Sequence, residues 1–188
     1  LEKAGIVRLD PSHMQGRDLN ALKDRYFETV VPLITAVIVD FKHPFPFLPS
    51  GASFVAVRIR GKRNDKLGLI LFPEAAAKMV VLNGEKLSFF LIEDAAARFA
   101  ADIFPKYEVA EQGVFRVTRN ADIVLDDDTL PDSADYRQAM ANILERRKRL
   151  EPVRLQSGLP ADSKLTRMLI KRLGLKNNQV FFETGPLD

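Results

Sequence analysis

The alternation of apolar and polar side chains predicts an antiparallel pair of strands in the first half of the chain. Over residues 53–60, Val55 and Ile59 fall on one face and Arg58 falls on the other. Residues 67–72 are apolar on both faces, which is typical of a central strand covered on both sides. The polar segment 61–66 between them predicts a hairpin loop, so we expect a β-hairpin at the centre of a sheet.

Helical and extended patterns follow one another irregularly along the rest of the sequence. The predicted helices cover residues 18–31, 93–104 and 133–150, and a late helix capped by Asp162 or Ser163 reaches Leu173. The predicted extended segments cover residues 33–39, 89–92, 107–109, 114–125, 153–155 and 179–182. Asp18 is the expected cap of the first helix, Gly174 the expected end of the late helix, and Gly113 the expected junction between two strands. The predicted fold class is α+β, with a mixed, largely antiparallel sheet flanked by helices.

The length of the chain predicts a single domain. Its 188 residues, of which 46% are hydrophobic, suffice for one substantial core. We expect one domain over residues 1–188, with residues 1–31 forming a leading helical segment that packs on it. The chain opens on Leu1 rather than Met and reads as the middle of a longer polypeptide, so we expect a fragment. Such a fragment should expose an apolar patch around Tyr26 and Val30.

The composition excludes several classes of function. The chain has no cysteine, which removes disulfides, zinc–thiolate sites and thiol nucleophiles. A formal net charge of only +3 argues against a general nucleic-acid-binding protein. There is no apolar run long enough to span a membrane and no signal peptide, which together favour a cytoplasmic location. The glycine-rich phosphate and dinucleotide loops and the Gly-x-Ser-x-Gly elbow are also absent from the sequence.

Two features have a catalytic or metal-binding interpretation beside a simpler one. His43 precedes a proline in an aromatic segment and could act as a phosphate acceptor or general base. We favour a loop imidazole packed on nearby rings, because only one residue supports the catalytic interpretation. Residues 126–128 are three aspartates that, with Asp122, could hold Mg²⁺. Consecutive aspartates also mark turns and helix starts, and we favour that interpretation, so we predict no metal site.

Basic side chains form three clusters that could contact a polyanion. The clusters are Arg58 and Arg60 with Lys62, Arg63 and Lys66; Arg116 and Arg119; and Lys164, Arg167 and Lys171. Charges on a hairpin tip or on the outer face of a helix are usually solvated surface, so we interpret the first and third clusters in that way.

Arg116 and Arg119 differ from the other basic residues because they interrupt an apolar strand. In an unbroken strand they point to opposite faces, and one of them shares a face with Phe115 and Val117. A buried guanidinium needs a partner. The partner could be Asp122 or a nearby Glu in a structural ion pair, or it could be a phosphate group or another protein. The sequence leaves both alternatives open.

Six motifs in order resemble the middle, or head, domain of bacterial polyphosphate kinases of the long type. They are the opening Ala4-Gly5-Ile6 with Leu9-Asp10, Tyr26-Phe27 with residues 31–35, the His-Pro-Phe-Pro-Phe at 43–47, the Phe-Arg-Val-Thr-Arg-Asn-Ala-Asp at 115–122, the Glu-Pro-Val-Arg-Leu at 151–155, and the Gly-Pro-Leu-Asp at 185–188. Two positions depart from the family pattern: Ala36 stands where the family has proline, and Pro152 stands where it has alanine.

The resemblance implies a non-catalytic part of a larger enzyme. That enzyme reversibly transfers the terminal phosphate of ATP to inorganic polyphosphate, and its phosphorylated histidine, ATP groups and Mg²⁺ belong to a catalytic half that this sequence lacks. The resemblance therefore implies no cofactor and no catalytic residue here. It implies contacts with the other domains, dimerisation, and a place beside the polyphosphate tunnel, for which Arg116 and Arg119 are the candidate contacts. The alternatives are an independent interaction module, or a small enzyme in which Arg116, Arg119 and His43 converge on a phosphorylated substrate.

Overall fold

A computed structural model describes residues 6–40, 42–74, 76–82, 87–120, 151–160 and 162–185. The predicted helix over 133–150, the end of the predicted strand over 114–125, and the aspartates at 122 and 126–128 lie outside these described residues. Among the described residues, no helix is long and apolar enough to cross a membrane.

Nine strands and four helices make up the described part of the chain. The strands are β1 (Ile6–Arg8), β2 (Thr35–Val39), β3 (Ser53–Ile59), β4 (Lys66–Leu71), β5 (Met79–Leu82), β6 (Leu87–Leu91), β7 (Val109–Arg119), β8 (Pro152–Ser157) and β9 (Val180–Phe182). The helices are α1 (Gly16–Thr29), α2 (Ile92–Arg98), α3 (Ala100–Ile103) and α4 (Lys164–Leu173), with short 3-10 turns at Val31–Leu33 and Asn177–Gln179.

The strands form two sheets. Six of them pair in the order β2-β4-β3-β7-β8-β9, and all of these pairings are antiparallel except β8–β9. The other three pair in the order β1-β6-β5, with β1 parallel and β5 antiparallel to β6. The predicted α+β class with a mixed, largely antiparallel arrangement is confirmed, and the predicted hairpin is β3–β4, with β4 between two neighbours. The small sheet was not foreseen, because β1 and β5 are too short to show a period.

Alternation along β3 distributes apolar side chains between two clusters. Val55, Val57 and Ile59 lie in an inter-sheet cluster shared by both sheets, α1, α2 and α3. Phe54 and Ala56 lie in an α4 cluster on the opposite face, where α4 packs. The large sheet therefore has an inter-sheet face and an α4 face. Successive side chains along each of its strands alternate between these two faces.

The junction predicted at Gly113 is wrong, because β7 runs through this residue without a break. Gly113 pairs with Ala56 in the middle of the β3–β7 ladder. A Cβ built at Gly113 would lie 2.6 Å from Leu159 Cγ. The glycine makes room for Leu159 against the strand and does not form a turn.

Three predictions about the helices are also wrong. Tyr26 and Val30 are only 0% and 4% exposed, so the predicted apolar patch does not exist there. The Tyr26 ring packs with its centroid 5.8 Å from that of Phe99, inside the inter-sheet cluster. Phe99 itself interrupts the helix predicted over 93–104, which divides into α2 and α3. Asp18 lies in the first turn of α1 and does not cap it.

The start of α4 is held by two acceptors on different elements. The Ser163 hydroxyl caps the helix by accepting the N–H of Thr166, as predicted, and Gly174 ends the helix with φ of +68°. The Glu111 carboxylate on β7 accepts the N–H of Leu165 at 2.8 Å. Two further donors approach the same Glu111 oxygen, the Ser163 hydroxyl at 3.4 Å and Arg58 Nε at 3.2 Å.

Arg58 is therefore structural rather than solvated, which corrects its assignment to the surface. Its side chain is 11% exposed, and besides Glu111 it donates to Asp65 at 2.7 Å. Arg60 is exposed as expected, with Glu108 at 3.2 Å. Arg58 and Glu111 lie on the α4 face of neighbouring strands, so this ion pair ties the sheet to the first turn of α4.

We expect this capping carboxylate to make stability depend on acid pH. Burial raises the pKa of Glu111, but the hydrogen bonds from Leu165, Arg58 and Ser163 outweigh it and bring the pKa below its ordinary value of 4.5. Stability from Glu111 is thus present above that value and is lost as pH falls through the folded-state pKa. Glu111→Gln should lower the free energy of unfolding near neutral pH by about 1 kcal/mol.

Urea unfolding at several pH values checks this expectation. The difference between wild type and Glu111→Gln should shrink as the pH is lowered, whereas Glu108→Gln, at an exposed ion pair, should differ little from wild type throughout. A difference for Glu111→Gln that stays constant from neutral to acid pH would contradict the capping role.

A second expectation concerns the space beside Gly113. Gly113→Ala should lower the free energy of unfolding by about 1–3 kcal/mol, because the new methyl group overlaps the Leu159 side chain. Leu159→Ala should remove that overlap, so the double variant should lose less stability than the two single variants together. Strictly additive losses in chemical denaturation would show that Leu159 is not the obstacle.

Candidate functional site

Arg116 and Arg119 lie on opposite faces of the large sheet, as their spacing predicts. Arg116 follows Val114 on the inter-sheet face, two residues along β7. Arg119 lies beyond a shift of register between Thr118 and Arg119 and contacts the α4 face. The two guanidinium groups therefore do not form one anion clamp.

Arg119 holds the segment that contains the His-Pro-Phe-Pro-Phe motif. Its Nε donates to the Leu48 carbonyl at 2.6 Å, and its guanidinium lies 4.5 Å from the centroid of the Phe47 ring. Its backbone N–H donates to the Ser50 hydroxyl at 3.0 Å. Burial lowers the pKa of this guanidinium. These contacts fix the loop before β3 against the end of β7.

Arg116 has a different environment. No hydrogen bond or ion pair joins its side chain to any other residue in the described ranges, and its Nε is buried without a partner there. The Glu93 carboxyl on α2 is near enough to Arg116 for the arginine's charge to affect the pKa of Glu93. Burial raises the pKa of Glu93, and the nearby Arg116 and Lys78 charges oppose that rise only in part.

Arg154 on β8 joins Arg116 on the inter-sheet face. The β7–β8 register places Arg116 opposite Gln156 and Thr118 opposite Arg154, so the two arginines are diagonal neighbours. The Arg154 guanidinium lies 4.4 Å from the centroid of the Phe181 ring, and its Nε is likewise buried without a partner in the described part. Sequence reasoning missed Arg154, although it stands in one of the matching motifs, because β8 was recognised only as residues 153–155 without a pairing partner.

We call Arg116, Thr118, Arg154 and Gln156 the arginine face. All four are partly buried, and all four project from the same side of two paired strands. They offer two guanidinium forks, a hydroxyl and an amide, which is a set of hydrogen-bond donors suited to anionic oxygens. The set includes no nucleophile paired with a base, so it suits binding and not bond making.

A cleft beside α2 carries more acidic than basic side chains, in contrast to the arginine face. It has a volume of about 410 Å³ and receives carboxylates and guanidinium groups from Arg8, Asp10, Glu93, Asp94, Arg98 and Glu183. Arg8 is already paired with Asp94 at 2.6 Å. With four acidic and two basic side chains at its walls, this cleft disfavours a polyanion.

His43 takes no part in either arrangement. Its Nδ1 lies 3.2 Å from Asp40, its side chain is 68% exposed, and its backbone N–H bonds the same carboxylate, which lowers the pKa of Asp40. The 410 Å³ cleft is lined by neither His43 nor Arg116 nor Arg119. The convergence required by the small-enzyme alternative is therefore not found.

The third basic cluster and the predicted absence of a metal site concern residues outside the arginine face. Lys164, Arg167 and Lys171 are exposed along α4, as solvated charges are, and Arg167 donates to the Asp162 carbonyl at 2.7 Å. Within the described ranges, no group of three or more His, Cys, Asp or Glu side chains is placed to hold a metal ion.

Comparison with known proteins gives the family. The family model described as "Polyphosphate kinase middle domain" matches residues 17–188. A polyphosphate kinase from Bacillus cereus is 28% identical over 197 aligned residues, which include the whole of this chain and 28% of that protein. A polyphosphate kinase from Staphylococcus saprophyticus is 29% identical, again over the whole chain and 26% of its own length.

A solved structure supports the same fold. The crystal structure of polyphosphate kinase from Porphyromonas gingivalis superposes with a TM-score of 0.67 at 20% identity, and the match covers 97% of this chain and 26% of that one. The chain thus spans about a quarter of the length of these relatives. The resemblance predicted from the six motifs is confirmed, and the chain belongs to the polyphosphate kinase middle-domain family.

Proposed function

We propose that this chain is a non-catalytic middle domain that serves a polyphosphate kinase. The observation that carries the proposal is the family match over residues 17–188 in a chain that covers about a quarter of its full-length relatives. In this proposal the rest of the polypeptide binds ATP and Mg²⁺ and performs the reversible phosphate transfer to polyphosphate, in the cytoplasm. This chain by itself has no transferase activity.

We further propose that residues 1–188 behave as one domain, with residues 1–31 as a segment that packs on it. Residues of α1 are buried in the inter-sheet cluster, and Lys23 on α1 bonds Asp102 on α3 at 2.6 Å. The strands of the large sheet contribute to both clusters, which supports cooperative folding of the two.

The dimerisation role uses an apolar surface of the small sheet in this proposal. Leu33, Met79 and Val81 line a groove between the end of α1 and the edge strand β5, and each of the three is about half exposed. An apolar groove beside an edge strand is suited to a protein partner. The occupant that we propose is a second copy of this domain, in line with the dimer contacts that the family resemblance implies.

The polyphosphate role falls to Arg116, with Arg119 supporting it from the other side of the sheet. Arg116 is partly buried on the inter-sheet face and its Nε has no partner in the described part, whereas Arg119 holds the loop over residues 43–50. The proposal therefore gives the two arginines separate tasks: contact with polyphosphate or a partner for Arg116, and positioning of the loop for Arg119.

Substitution in the complete enzyme separates these tasks. Arg116→Gln should lower the rate of polyphosphate synthesis by at least about tenfold, because a charged hydrogen bond is worth about 1.5–3 kcal/mol, and should leave thermal stability unchanged. Arg119→Gln should instead lower stability by about 1–2 kcal/mol through loss of the Leu48 bond and the Phe47 contact. Unchanged dimerisation and synthesis in both variants would overturn the proposal for these residues.

The apolar groove gives a separate expectation. Sedimentation equilibrium should find the 188-residue chain in a concentration-dependent dimer, and Val81→Lys should shift it to monomer by burying a charge at the contact. Val153→Lys is the matched control. It alters an exposed apolar residue outside the groove, on β8, and this variant should remain dimeric. A wild-type chain that stays monomeric at all concentrations would contradict dimerisation through this domain.

A further inference from the structure

We propose that Arg116 and Arg154 together bind a chain of linked phosphate groups across β7 and β8, with Thr118 and Gln156 as additional donors. The inference rests on the proposed function and adds a binding residue, Arg154, and a competitor for the ligand, Glu183. The ligand class is a linear oligophosphate or polyphosphate.

The spacing of the two arginines favours a ligand with several phosphate groups. Diagonal neighbours on an antiparallel pair have Cα atoms about 7–8 Å apart, so the two guanidinium groups meet successive sites along a chain more readily than one small anion. The Thr118 hydroxyl and Gln156 amide complete the other corners of the same four-residue patch. A ligand lying across both strands would contact all four side chains.

The hydrogen-bonding state of the two arginines points to a missing acceptor. Arg116 Nε and Arg154 Nε are both buried and lack a partner among the described residues. A buried donor without an acceptor is destabilising, and here two such donors lie on one four-residue patch. Phosphate oxygens supply the paired acceptors that the planar Nε–Nη edge of a guanidinium bonds best.

Arg154 is held in place by contacts that leave its Nε without an acceptor among the described residues. Its guanidinium lies 4.4 Å from the centroid of Phe181, which is 45% exposed, so the ring supports one side of the cation. Its Nη2 lies 3.9 Å from Glu183 Oε1, at the outer limit of an ion pair. Gln156 Nε2 donates to the same Glu183 oxygen at 3.4 Å.

Glu183 therefore occupies the place of the ligand's negative charge. Its carboxylate contacts two of the four side chains of the arginine face, and both contacts are long. A phosphate chain must displace this carboxylate to reach Arg154 and Gln156. Removal of the carboxylate should consequently strengthen ligand binding, an effect opposite in sign to removal of either arginine.

Isothermal titration of the 188-residue chain with orthophosphate, tripolyphosphate and long-chain polyphosphate tests the inference. At fixed ionic strength, affinity should rise from orthophosphate to the longer chains. Arg116→Gln and Arg154→Gln should each weaken polyphosphate binding by at least about tenfold, Arg154→Lys should weaken it less, and Glu183→Gln should strengthen it. Arg167→Gln, which removes an exposed arginine from α4, is the matched control and should change affinity by less than about twofold.

Several outcomes would overturn the inference. They are a wild-type chain that binds no polyphosphate, arginine-face variants that bind like the Arg167→Gln control, or a Glu183→Gln variant with weakened binding. Thermal melts of each variant confirm that the chain remains folded. If Arg154→Gln binds polyphosphate normally while Arg116→Gln still slows synthesis in the complete enzyme, the two-arginine site is wrong and the proposed function stands.

Discussion

The register of β7 between β3 and β8 is the constraint on which the rest of the structure depends. Through its pairing with β3, Phe115 is placed against Phe54 in the α4 cluster and Val114 against Val55 beside the inter-sheet cluster. The same alternation continues past the apolar residues and places Arg116 on the inter-sheet face. Because a slip by one residue would exchange the two faces, the packing of both clusters also determines where the charged side chains lie.

Charged side chains on the two faces consequently have different environments. On the α4 face, Arg58 and Glu111 bond each other and the first turn of α4, and Arg119 bonds the loop at Leu48. On the inter-sheet face beyond α2, Arg116 and Arg154 keep donors without acceptors in the described part. Side chains whose donors bond other parts of the fold are suited to structural support, whereas donors without an acceptor are suited to binding a ligand. This contrast is the physical basis for proposing a structural task for Arg119 and a binding task for Arg116.

Much of the fold could be predicted from the sequence where an element is long enough for its hydrophobic periodicity to be recognised. The alternation in β3 and the apolar run of β4 correctly predicted two strands and the faces of their side chains. Ser163 and Gly174 correctly predicted the two ends of α4. The role of Gly113 could not be predicted, because it depends on Leu159, which is distant in sequence and close only after folding. The burial of Tyr26 depends in the same way on Phe90 and Phe99. The candidate site was half predicted: Arg116 was identified from its strand, but Arg154 required the β7–β8 pairing, which no local pattern reveals.

The most direct test of the account is the register of β7 against β8 in solution. Cross-strand nuclear Overhauser effects measured on the 188-residue chain should connect the backbone protons of Arg116 with those of Gln156, and those of Thr118 with those of Arg154. Contacts that instead connect Arg116 with Leu155 would mean that β8 is shifted by one residue. Arg154 would then point to the α4 face, and the arginine face could not exist.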